Sequence, residues 1–197
     1  VDPPKFIGAP MKVLTEAQLD TFVTAIEKDE FWHDFFYTAV TTGLRRGEIC
    51  ALRWEDFDAK QETLHVRRTL HKEKGKPLIT GDTKTYAGTR KIVLPPSTAQ
   101  LLRERKKTAP TEWIFPNPFD PEQPIAPGTA YNRLKALLKE TGLPDIRFHD
   151  LRHTFATHAL SSGVDAKTLA GILGHTKASF TLDTYTHTTG DMQKRAA

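Results

Sequence analysis

Cysteine is almost missing from these 197 residues: Cys50 stands alone. That excludes an internal disulfide framework and any zinc site built on cysteine, and it fits a reducing compartment. Long apolar runs are missing as well, since nothing approaches the roughly 18 residues a membrane helix needs. The N-terminus carries no signal-peptide pattern, and the chain contains neither an internal repeat nor a low-complexity tract. A strong charge imbalance is also lacking: Lys+Arg 28 against Asp+Glu 24 leaves a formal +4, which permits a polyanionic partner without requiring one. What remains, 38% hydrophobic and 26% charged residues, suits a globular domain large enough to bury a sizeable core.

Residues 1–12 hold three prolines and no periodicity. With Val rather than Met at position 1, they read as a linker remnant ahead of a domain spanning 13–197. Thr15 to Gln18 fits a capping box, followed by Leu19, Phe22, Val23 and Ile26 at helical spacing. Further helices are predicted at Phe31 to Thr42, closed by Gly43, at Arg46 to Leu52, and at Pro95 to Lys107. The last four are predicted near 128–141, 150–162, 165–173 and 177–185. Between them, Thr63 to His71, Lys76 to Lys84 and Arg90 to Leu94 carry strand-like alternation separated by turn residues. The expected fold is therefore α+β: mainly helical, with a small three-stranded antiparallel sheet on one side.

Three segments place polar residues where a helix pattern does not need them. In Thr42-Gly43-Leu44-Arg45-Arg46-Gly47-Glu48, Glu48 stands three residues after Arg45 and can brace its guanidinium. Taken alone, the pair reads more readily as a plain surface ion pair. In His149-Asp150-Leu151-Arg152-His153, His149 and Arg152 share a helical face. The run also imitates a zinc-peptidase helix, but Asp150 replaces the general-base Glu and Arg152 would set a cation beside the metal. A capped helix with surface histidines is the bland alternative. In Leu173-Gly174-His175 and the run Thr181 to His187, Gly174 throws His175 out of a helix and Tyr185 follows ten residues later. Tyr185 alone reads more readily as a core or rim aromatic than as a nucleophile.

Taken in order, Arg45, Lys84, His149, Arg152, His175 and Tyr185 resemble the active-site set of the tyrosine recombinase (phage integrase) family. The wording "TGLRRGE", "HDLRHTFAT" and "LGHTKASFTLDTY" looks most like integrases of temperate phages and conjugative transposons. The resemblance covers about Leu14 to His187. It implies a site-specific recombinase that breaks and rejoins DNA through a 3′-phosphotyrosyl intermediate on Tyr185, with neither metal nor other cofactor. Arg45 and Arg152 would fork onto the phosphate, with Glu48 bracing Arg45. His149 would act as base or relay, Lys84 would protonate the 5′ leaving oxygen, and His175 would bond a non-bridging oxygen. Lys76 and Lys91 are the fallback acids. Expected partners are double-stranded DNA, a homotetramer on synapsed DNA and an accessory directionality factor, in the bacterial cytoplasm. Residues 186–197 would form a tail that docks on a neighbouring protomer, and core-binding and arm-binding domains would stand upstream.

A type IB topoisomerase uses a related residue set and is the second reading. A zinc hydrolase and an inactive DNA-binding module are weaker ones. The charge distribution adds a location. Residues 60–107 carry +9, residues 1–59 carry −5 and residues 108–197 carry zero. The basic block makes Arg67, Arg68, Lys72, Lys74, Lys76, Arg90 and Lys91 the candidates for the DNA backbone.

Overall fold

Thr15 opens the first helix, α1 (Glu16–Ile26), through the capping box read from the sequence: its side chain accepts from the Gln18 amide, and the Gln18 side chain accepts from Thr15. The structure is a computed structural model that describes residues 11–72, 78–82, 88–175 and 178–185. Helix α2 (His33–Thr42) is the centre of the body. It presents Phe35, Phe36 and Ala39 to the core, where Phe35 meets Phe36, Phe115 and Phe148 in edge-on ring contacts. Burying each such ring stabilises the fold by about 2 kcal/mol. The short α3 (Arg46–Cys50) follows.

The strands form small antiparallel sheets, as the α+β reading requires, but the three-stranded one has a different membership from that expected. It consists of β1 (Phe57–Asp58), β2 (Thr63–Val66) and, beyond an intervening hairpin, β5 (Arg90–Val93), in the order β1-β2-β5. The hairpin is β3 (Arg68–Lys72) with β4 (Leu78–Asp82), pairing Arg68 with Asp82 and Lys72 with Leu78. The single strand expected over Thr63 to His71 is thus divided at Arg67. Neighbouring residues of a regular strand point to opposite faces. Arg67 Nε and Arg68 Nη2 nevertheless both reach the buried Asp56 carboxylate at 2.6 Å, so the alternation breaks there.

Helix α4 (Pro96–Lys107) leads to a small hairpin of β6 (Pro116–Asn117) and β7 (Asp120–Pro124). The remaining helices are α5 (Pro127–Thr141), α6 (Phe148–Ser161), α7 (Ala166–Leu173) and α8 (Ala178–Thr184), each within two residues of its expected bounds. Helix α6 packs on α2, and α8 on α7. Among the described residues no helix is long and apolar enough to cross a membrane.

Two glycines set the geometry of the site. Gly47 of α3 sits so close to β3 that a Cβ there would lie 2.5 Å from the Leu70 carbonyl oxygen and the Thr69 hydroxyl. Gly43 ends α2 at φ 63, and a Cβ would meet the Phe155 ring at 2.4 Å. Gly43→Ala therefore combines a left-handed residue with overpacking and is expected to cost about 3 kcal/mol. Urea unfolding measures this, and a loss near zero would contradict the described backbone.

Candidate active site

The start of α3 and the start of α6 face one cleft of about 940 Å³, whose wall includes Arg45, Arg46, Arg147, His149 and Arg152. Arg45 is the N-cap of α3. Its backbone N–H donates to Glu48 at 2.8 Å and its guanidinium to the same carboxylate at 2.7 Å. Glu48 is 2% exposed and also receives both terminal nitrogens of Arg90 at 3.0 Å. Burial alone would raise the Glu48 pKa, but the hydrogen bond and charge of Arg90, with Arg45, hold it below the ordinary carboxylate value. The result is a fixed Arg–carboxylate–Arg triad with one net positive charge.

Arg152 is 2% exposed. Its guanidinium donates to the Gly43 carbonyl at 3.0 Å and the Leu173 carbonyl at 2.5 Å, the C-terminal ends of α2 and α7, where the helix dipoles are negative. Burial, and next the charge of Arg45, push its pKa down to about 9. It therefore remains charged at neutral pH, with a strong demand for a compensating anion.

His149 lies one turn from His153, their rings edge to face at 4.6 Å. His149 is lowered by burial and by Arg152 and Arg45. His153 Nδ1 is 2.7 Å from the Tyr185 hydroxyl. Tyr185 is 1% exposed, and burial pushes its phenol up to about 12, against the opposing charge of Arg152. His175 Nδ1 pairs with the Thr181 hydroxyl at 2.8 Å, and its ring meets Phe180 edge-on. His153 and His175 are each held down at about 4, burial being the largest cause in both.

A histidine kept neutral in the fold binds its proton more readily in the unfolded chain, so stability is present above pH 6.5 and declines as pH falls toward 4. The urea midpoint is expected to drop between pH 7.5 and 4.5. A flat profile would contradict the burial of these two rings.

This chain matches the phage integrase family over residues 12–191. It belongs to that family. A tyrosine recombinase XerC-like protein of Caldanaerobacter subterraneus subsp. tengcongensis is 30% identical over 175 residues, covering 77% of this chain and 44% of the relative. The ICEBs1 integrase of Bacillus subtilis is 29% identical, covering 95% of this chain and 53% of that protein. The chain spans about half the length of the curated relatives it matches. A Tn1549 transposon integrase solved in complex with transposon right end DNA superposes with a TM-score of 0.81 at 25% identity, covering 96% of this chain and 67% of that one.

In this integrase fold the sequence-derived residues separate into groups. Arg45, His149 and Arg152 share the cleft wall. His175 and Tyr185 do not line it, although each is within electrostatic range of Arg152. Lys84, Lys74 and Lys76 lie outside the described residues, as does the side chain of Lys72. Among the described residues of the basic block of 60–107, the arginines are paired internally. Arg67 and Arg68 pair with Asp56 and Glu55, Arg103 with Glu62, and Arg105 with Asp34.

Arg90, expected on the DNA backbone, instead has a 7% exposed side chain bound to Glu48 and to the Ile172 carbonyl at 2.6 Å. It is a brace for the cleft. Lys91 reaches Gln61 at 2.6 Å. His153, read from the sequence as a surface histidine or a zinc mimic, holds the tyrosine hydroxyl. Asp150, the third group of that zinc pattern, instead holds Arg147 through both carboxylate oxygens.

Proposed function

We propose that this chain is the catalytic domain, residues 13–197, of a site-specific DNA recombinase that exchanges strands through a phosphotyrosine. The observation that carries the reading is the cleft wall itself. Two arginines, one fixed by a buried carboxylate and the other buried against two backbone carbonyls, converge beside His149 with Tyr185 nearby. A phosphodiester is the anion such a pair accommodates, because each guanidinium can fork onto two oxygens. Such groups stabilise the charge that builds up on those oxygens in the transition state.

Tyr185 Oη attacks phosphorus, the P–O5′ bond breaks, and the 3′-phosphotyrosine retains the bond energy for religation by a 5′ hydroxyl. The phenol proton passes to His149 once Tyr185 has turned toward the cleft. The 5′ oxygen takes its proton from Lys84. His175 Nε2 bonds a non-bridging oxygen. In the structure described, Tyr185 is buried against His153, so attack requires the segment after α7 to shift. By likeness to the Tn1549 integrase, which was solved on transposon right end DNA, the substrate is DNA at mobile-element ends; exchange by four protomers with an accessory directionality factor is part of the same proposal. The topoisomerase reading is not favoured: the relatives named above are integrases and a recombinase.

The test is a nicked suicide duplex whose short fragment, bearing the released 5′ hydroxyl, diffuses away. The account requires a covalent protein–DNA adduct that survives denaturation and forms in excess EDTA. Cleavage without an adduct, or dependent on metal, would sink it.

A further inference from the structure

The cleft holds a second device of the same build as Arg45–Glu48, and it is unused by the chemistry above. Arg147 is the N-cap of α6, as Arg45 is of α3, and each is followed three residues later by a carboxylate. The Arg147 backbone N–H donates to Asp150 at 2.8 Å, and its Nε and Nη2 donate to the two oxygens of the same carboxylate at 3.0 and 2.8 Å. Asp150 is 1% exposed while the Arg147 side chain is 48% exposed, so the carboxylate forms a buried footing and the guanidinium a presented head. Nη1 is not used by this fork. Arg147 lines the cleft that Arg45 and Arg152 line.

Around it the cleft is roomy and basic. A Cβ on Gly128 would meet nothing within 4 Å, and Arg46 lies over the Tyr131 ring, 5.7 Å from its centroid. A third unit of this build, Arg53 with Asp56, faces elsewhere: Arg53 Nη1 is taken by Glu112 and its guanidinium lies over Trp113. The recurrence of the motif therefore does not make a site. Its opening onto the shared cleft does.

We propose that Arg147, footed on Asp150, is a second phosphate-binding site, which holds a backbone phosphate next to the scissile one and so sets the register of the duplex in the cleft. This rests on the recombinase reading. The Arg147–Asp150 pair is formally neutral, so it contributes through contact, by directed N–H donation, more than through long-range attraction. Its signature is a specific phosphate contact with little change in the salt dependence of association.

The experiment is a phosphate-by-phosphate scan. Uncharged methylphosphonates replace single phosphates flanking the scissile position, and equilibrium affinity is measured for the 197-residue chain. Neutralising one flanking phosphate is expected to weaken wild-type binding about tenfold, the size of one charge-assisted hydrogen bond. In the R147Q/D150N variant, whose amides replace the charges without leaving a buried carboxylate unpaired, that sensitivity is expected to vanish at that phosphate and persist elsewhere. Arg53→Ala, with the same local build outside the cleft, should keep the wild-type profile. If R147Q/D150N keeps the full profile, the second site is wrong while adduct formation leaves the recombinase reading intact. If wild type senses no phosphate and forms no adduct, both fall. Because the scan alters only the DNA, the wild-type footprint is free of any folding effect.

Discussion

Arg152→Ala is expected to lower the rate of covalent-adduct formation at least about a thousandfold, the scale associated with removing one preorganised group that stabilises transition-state charge. The reason lies in its placement. Its guanidinium is desolvated, held by two carbonyl oxygens at the ends of α2 and α7, and lowered to about 9 by burial and by Arg45. A charge kept dry in this way gains most from an incoming phosphate and from the further charge of the transition state. Alanine also strands the two carbonyls, so unfolding would mimic the effect. Arg152→Lys separates the two explanations: it keeps a cation in place but loses the planar fork. With its melting temperature near wild type, Arg152→Lys should still cut the rate about a hundredfold or more. A lysine variant as fast as wild type would show that charge alone is needed and that the fork is not.

Tyr185→Phe is the second large effect, and it is expected to be total: no adduct at any DNA concentration, with DNA binding kept. The substitution removes one hydroxyl and its bond to His153, so the stability cost is about 1 kcal/mol and the fold remains. His153→Ala makes the complementary point. It frees the phenol from its buried partner, so it should alter the rate at which Tyr185 reaches the phosphate without abolishing the adduct.

The helices were legible because their signals are local. The Thr15 capping box, the apolar spacing of α1 and the glycines after α2, α5 and α7 all act within one or two turns. Glu48 bracing Arg45 was legible for the same reason. Arg90 was not: its partner Glu48 is 42 residues away, a distance closed only by the way β5 and α3 meet. Counting charges therefore assigned Arg90 to DNA when the fold uses it as a brace. The same blindness inflated the basic block, because sequence counts carry no record of which arginines face Asp56, Glu62 or Asp34. His153 was passed over because its link to Tyr185 spans 32 residues and depends on how α6, α7 and α8 stack. The break at Arg67 was hidden too, since β-branched alternation says nothing about two neighbouring arginines converging on one buried carboxylate.

Every step proposed depends on Tyr185 becoming covalently joined to DNA, which peptide mapping of the suicide-substrate adduct by mass spectrometry reads out. The predicted result is a single modified peptide, carrying a 3′-linked nucleotide on Tyr185. An adduct mapped to Tyr37, Tyr131 or any other side chain would contradict it.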